Sequence, residues 1–137
     1  MKKKLIILAE DDADDRMIFS DAFEEFNDGS LELKILEDGR EVIEFLKTID
    51  SDSDLPHLFI FDQNMPIMTG RETLGVLKQL ERCKHIPVII YTTYSDKRLV
   101  HDYEESGAGM VVSKPDTYDG FKEMVHTFLS TYVTNRA

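Results

Sequence analysis

The sequence predicts a doubly wound α/β domain, a five-stranded parallel sheet with helices on both faces, and three observations predict it. Five short apolar runs recur along the 137 residues, each closed by charged or turn residues. Between them lie segments whose apolar residues return at helical spacing, and a strand–helix alternation of this kind needs the crossover connections of a parallel sheet. The runs also end in polar groups of complementary kinds, Glu10-Asp11-Asp12, Asp62, Thr92 and Lys114. In such sheets the ligand crevice lies at the carboxyl ends of the strands, where the winding direction reverses.

Each element has its own signal. Lys4 to Ala9 reads as a short buried strand, and from Asp14 to Phe26 the residues Met17, Ile18, Ala22, Phe23 and Phe26 fall at helical intervals. The turn Asn27-Asp28-Gly29 precedes Leu31 to Leu36, whose alternation reads as a second strand. Val42, Ile43, Phe45, Leu46 and Ile49 mark a second helix. Ser51-Asp52-Ser53-Asp54, with Pro56 close behind, is a solvated connector; a calcium loop would need a longer ligand pattern with a central glycine and a terminal glutamate. Leu58 to Phe61 is the third strand, and a helix from Gly70 carries Leu74, Leu77 and Leu80. Pro87 introduces the fourth strand, Val88 to Tyr91, and Ser95-Asp96 caps a helix reaching about Ser106. Gly107-Ala108-Gly109 stops it. Met110 to Val112 is the fifth strand, Lys114-Pro115 a turn, and Phe121, Met124, Val125, Phe128 and Leu129 the inner face of a last helix.

Composition narrows the function. With 42% hydrophobic residues and no repeat or linker, residues 1–137 suit one domain with its own core, and no output domain is expected. A net charge of −11, from 27 acidic against 16 basic residues, disfavours direct nucleic-acid and anionic-membrane binding. Cys83 is the single cysteine, so no internal disulfide can form and a reducing, cytoplasmic setting is expected. Met1-Lys2-Lys3-Lys4 looks like the start of a secretion signal, but the apolar stretch gives way after Ala9 to acid. No apolar run approaches the ~18 residues of a membrane span. His57, His85, His101 and His126 lack ligand spacing, which argues against zinc.

If the first and third strands are neighbours, Glu10, Asp11 and Asp62 converge. At about 4 Å and an effective dielectric near 20, each like-charged pair costs on the order of 4 kcal/mol, so a cation is needed. The oxygens on offer, with no His or Cys beside them, suit Mg2+ better than zinc. An accessible Asp62 beside such an ion, with the Thr92 hydroxyl and the Lys114 ammonium across the crevice, meets the electrostatic needs of phosphoryl transfer to a carboxylate.

These motifs, together with Met65-Pro66 and Gly70 after Asp62 and Pro115 after Lys114, resemble the receiver domain of two-component response regulators of the stand-alone, chemotaxis type. The resemblance spans nearly the whole chain and implies the strand order 2-1-3-4-5 of flavodoxin-like receivers. It implies that Asp62 is the phosphoacceptor, taking its phosphoryl group from a sensor histidine kinase or a phosphotransfer protein. Asp11 would bind Mg2+ directly and Glu10 mainly through water, with a carboxylate oxygen from Asp62 and the backbone carbonyl of Asn64. Thr92 and Lys114 would read the phosphoryl group and switch the face of helix four, strand five and helix five for a downstream protein or a second copy of this chain. The chain would then be a phosphoacceptor rather than an enzyme, losing its phosphoryl group slowly by itself.

Asp12, Asp14 and Asp15 read as cap or surface charges favoured by the helix dipole. Two positions depart from the commonest pattern. Thr69 stands where a second aspartate often precedes the glycine, and Val111 stands where receivers often carry the Tyr or Phe whose rotamer follows the threonine. Tyr91, Tyr94 or Tyr103 would then transmit the switch, and Tyr94 would also limit water access to the acyl phosphate. Three rivals stand beside this reading. A haloacid-dehalogenase-like phosphatase would need an acid/base aspartate where Asn64 is, and a flavodoxin-like electron carrier would need a phosphate-cradling loop where Glu10-Asp11-Asp12 is. A receiver-like module that works without phosphorylation is the third, kept open by Val111.

Overall fold

The third and fourth apolar runs form strands because every one of their residues is buried, which leaves the ladder as the one way to satisfy their backbone groups. The computed structural model describes residues 2–93 and 96–133; Tyr94 and Ser95, named above as a lifetime modulator and a cap residue, lie outside the described residues. In chain order the elements are β1 (Lys4–Ala9), α1 (Ala13–Phe26), β2 (Leu31–Leu36), α2 (Gly39–Lys47), β3 (Leu58–Asp62), α3 (Gly70–Gln79), β4 (Val88–Thr92), α4 (Lys97–Glu105), β5 (Met110–Ser113) and α5 (Tyr118–Tyr132). All four pairings are parallel and the order is β2-β1-β3-β4-β5, as the resemblance implied.

Side chains alternate across the sheet and divide the core in two. Ile6, Leu8, Leu58, Ile60, Ile89 and Tyr91 face α1 and α5, where Phe19, Phe23, Phe121, Val125 and Phe128 meet them. Ile7, Ala9, Phe59, Phe61, Val88 and Ile90 face α2, α3 and α4, with Val42, Leu74, Leu77 and Tyr103. The register aligns Ala9 with Phe61, Asp62 with Tyr91 and Thr92 with Ser113, so the polar strand ends share one edge of the sheet.

Several boundaries differ from the sequence reading. β3 and β4 each run one residue further, so Asp62 and Thr92 are the last residues of their strands. Met17 is 61% exposed and Phe19 is fully buried, because the inner face of α1 is Phe19, Ala22 and Phe23, onto which Met17 does not project. Leu80 is the C-cap of α3 and is partly exposed, and Ile49 lies beyond the end of α2. The acidic connector holds a short 3-10 turn at Asp52–Asp54, tied by Arg82 to Asp52 at 2.9 Å.

The helices start where short polar side chains accept their orphan N–H groups: Asp12, Asp38, Thr69, Asp96 and Thr117 cap α1 to α5 in turn. Thr69 forms a full capping box with Glu72, which gives this departure a local reason. Gly70 has a steric one. A Cβ there would stand 2.8 Å from the Asp62 carbonyl oxygen, so glycine lets the start of α3 lie against the end of β3.

Candidate functional site

Because β1 and β3 are neighbours in register, Glu10 and Asp11 leave β1 beside Asp62 at the end of β3. Carboxylate oxygens of these three residues lie within 4.8 Å of one another, and among the described residues this is the one group of His, Cys, Asp or Glu that could hold a metal ion. Glu10 and Asp62 are buried and Asp11 is exposed, so the group opens to solvent on one side. All its ligands are hard oxygens, which fits a hard divalent cation.

Asp62 is held from both sides. Its Oδ1 accepts the backbone N–H of Asn64 at 3.2 Å, and its Oδ2 lies 3.3 Å from Lys114 Nζ. Asn64 itself is exposed on the loop that follows. Thr92 is buried one register step along, and its carbonyl accepts the Lys114 backbone N–H at 2.7 Å, which couples the ends of β4 and β5. The expected site residues Glu10, Asp11, Asp62, Asn64, Thr92 and Lys114 therefore gather at one edge of the sheet. Val111 packs half-buried against the core cluster that faces α3 and α4, and Tyr103 of α4 is buried in the same cluster.

The Lys114 ammonium is shared more widely than expected. It donates to Glu10 Oε1 at 3.1 Å and to Asp15 Oδ2 at 2.8 Å, and it lies 4.7 Å from the centre of the Tyr91 ring. Burial alone would lower its pKa, but hydrogen bonding to Asp15 and the nearby Glu10 and Asp62 carboxylates hold it above the usual lysine range. Asp15, read above as a cap or surface charge, is thus a partner of the site lysine. The first turn of α1 begins only four residues after β1, so it overhangs the strand ends and points Asp15 back at Lys114.

Glu10 has no free oxygen. Its Oε1 accepts the Tyr91 hydroxyl as well as Lys114, and its Oε2 accepts the Asp12 N–H at 3.1 Å. Burial pushes the Glu10 carboxyl up to about 7; a hydrogen bond with Asp62 and the Asp62 charge add to this, while the Tyr91 and Asp12 donors oppose it. Burial, followed by the charge of Glu10, raises the Tyr91 phenol well above its ordinary value. The Tyr91 ring also packs edge-on against Phe121 and Phe128, at 6.0 and 6.5 Å, and so links the carboxylate cluster to α5. No periodicity separates this tyrosine from an ordinary core aromatic.

The larger cavities lie elsewhere. One of about 480 Å3, lined by Asp52, His57, Arg82 and His85 among others, lies between the 3-10 turn, the segment after α3 and the residues leading into β3 and β4. The acidic site lies at the opposite edge of the sheet, where the strands end.

The family model for the response regulator receiver domain matches residues 6–126. Response regulator Rcp1 of Synechocystis is 33% identical over 104 residues, 74% of this chain and 70% of Rcp1. Chemotaxis protein CheY of Pseudomonas aeruginosa is 31% identical over 101 residues, 74% of this chain and 69% of CheY. The solved structure of the Mn(2+)-bound form of Rcp1 superposes with a TM-score of 0.85 at 28% identity, covering 98% of this chain and 97% of that one.

Proposed function

Because this chain belongs to the response regulator receiver domain family of two-component signalling, we propose that Asp62 accepts a phosphoryl group from a histidine kinase or a phosphotransfer protein. One observation carries the reading. A nearly buried carboxylate at a strand end has two further carboxylates within 4.8 Å and an ammonium at 3.3 Å. Such a site concentrates both a cation and an anion at one oxygen pair.

An Asp62 oxygen forms the new P–O bond as the P–N bond to the donor histidine breaks, and the electron pair leaves with the imidazole nitrogen, which then takes up a proton. Lys114, an ion-pair partner of Asp62 at 3.3 Å, donates an N–H to one phosphoryl oxygen, and the Thr92 hydroxyl donates to another. The donor set fits Mg2+ held by Asp11, Asp62, the Asn64 carbonyl and, through water, Glu10. When bound it supplies positive charge that offsets the carboxylates and the incoming phosphoryl oxygens. The residue two places after Asp62 is Asn64, whose N–H supports the Asp62 carboxylate where a phosphatase of the haloacid-dehalogenase type would carry its acid/base group.

Phosphorylation adds about −1.5 to −2 charges beside Thr92 and Lys114. Since the two are joined through the backbone, a shift of either moves the ends of β4 and β5 together and alters the face of α4, β5 and α5 offered to a partner protein. Incubation with acetyl phosphate and Mg2+ tests the acceptor. The wild-type chain should gain a phosphoryl group by intact mass, and Asp62→Asn, with its circular dichroism unchanged, should not; undiminished labelling of the variant overturns the assignment.

A further inference from the structure

We propose that Asp15 is a positioning residue of the phosphoryl site, one that holds Lys114 and draws off part of its charge so that the site grips its anion less tightly than it could. The inference rests on the phosphoacceptor reading of Asp62. An ammonium has three donors and no acceptor, and here three carboxylates surround it: Asp15 at 2.8 Å, Glu10 at 3.1 Å and Asp62 at 3.3 Å. Asp62 is the acceptor and Glu10 belongs to the group that could hold a cation. Asp15 lies outside that group, on a helix rather than a strand end, and yet makes the shortest of the three contacts.

Geometry alone does not require a carboxylate at this position. A neutral amide oxygen would accept the same N–H and keep the lysine in place; a full negative charge does more. It opposes the approach of an anion to the ammonium that is meant to receive it, and it ties that ammonium to α1 whether or not Asp62 is occupied. Lys114 is 8% exposed at its side chain and Asp15 is 23% exposed, so solvent screens this effect only in part. Its hydrogen bonds to Asp15 and Glu10 hold the ammonium 3.3 Å from Asp62 Oδ2. The same contact that places Lys114 also moderates it.

Asp15→Asn separates the two roles, since it keeps an acceptor and removes the charge. Beryllofluoride, a phosphoryl mimic, is titrated at saturating Mg2+ and followed by backbone amide shifts, and Mg2+ is titrated alone in the same variants. Asp15→Asn should bind beryllofluoride roughly tenfold tighter and Mg2+ no tighter than wild type, because the freed ammonium neutralises Glu10 and Asp62 more fully. Asp15→Glu, which restores the charge, should return both affinities toward wild type. A loss of fold alone would weaken both ligands together, and that result, or an unchanged beryllofluoride affinity in Asp15→Asn, overturns the inference while leaving Asp62 as acceptor. Failure of the wild-type chain to take up beryllofluoride at all would instead remove the phosphoacceptor reading, and this inference with it.

Discussion

Glu10 is where burial, a neighbouring carboxylate and a neighbouring ammonium compete, and the competition makes stability depend on pH. Its carboxyl titrates near 4.5 in the unfolded chain and is pushed up to about 7 in the metal-free fold. Between those values the folded chain binds more protons than the unfolded one, so the contribution of Glu10 to stability is complete below about pH 4.5 and is lost as pH rises through about 7. The loss amounts to about 3 kcal/mol at most. Urea unfolding in chelator should therefore show Glu10 eroding stability over this window, and Glu10→Gln, which stays neutral, should abolish that slope. Mg2+ favours the ionised form, so its affinity should climb over the same window. The principal site residues were legible because each closes an apolar run. Asp15 was not, since an acidic residue in a first helical turn satisfies the dipole and the capping argument equally well, and only the packing of α1 over the strand ends distinguishes a cap from a ligand of Lys114.

At the scale of the element, α4 carries an unsettled group. The Tyr103 hydroxyl is the one buried side-chain polar atom without a hydrogen-bond partner among the described residues, and burial pushes its phenol up to about 12. A buried hydroxyl left unpaired costs about 1–3 kcal/mol. Tyr103→Phe, which keeps the ring in its cluster, should leave the unphosphorylated chain as stable or up to about 2 kcal/mol more stable by thermal melting. A clear loss of stability would mean that the hydroxyl is satisfied in solution. Helix existence was readable from the sequence, and for α4 the ends were too: Asp96 and the Gly107 stop bracket it as expected. The inner face of α1 was not, because Met17, Ile18 and Phe19 are adjacent apolar residues and helical spacing alone cannot say which of three neighbours points inward. The 3-10 turn at Asp52–Asp54 was missed for a different reason, being built from the same residues that make any polar loop.

For the whole molecule, the alternation of buried strands and amphipathic helices was sufficient to fix a doubly wound sheet, while the strand order came from the family resemblance, since hydrophobic periodicity says nothing of which strands are neighbours. That order is what brings Glu10 and Asp11 to Asp62, so the site is a property of topology as much as of its residues. Among the described residues Met17, Ile67, Leu80 and Tyr118 are the large apolar side chains left exposed. They are scattered, and Tyr118, which stands at the start of α5, is engaged by Lys122 and Asp21. No helix of the described residues is long and apolar enough to cross a membrane. In the proposed transfer one carboxylate of this acidic edge, Asp62, becomes an acyl phosphate. Borohydride reduction of the phosphorylated chain, followed by peptide mapping, reads that carboxylate directly: conversion to homoserine is expected at position 62, and reduction at Glu10, Asp11 or Asp15, or at none of them in a chain that carries the phosphoryl mass, would overturn the assignment of Asp62.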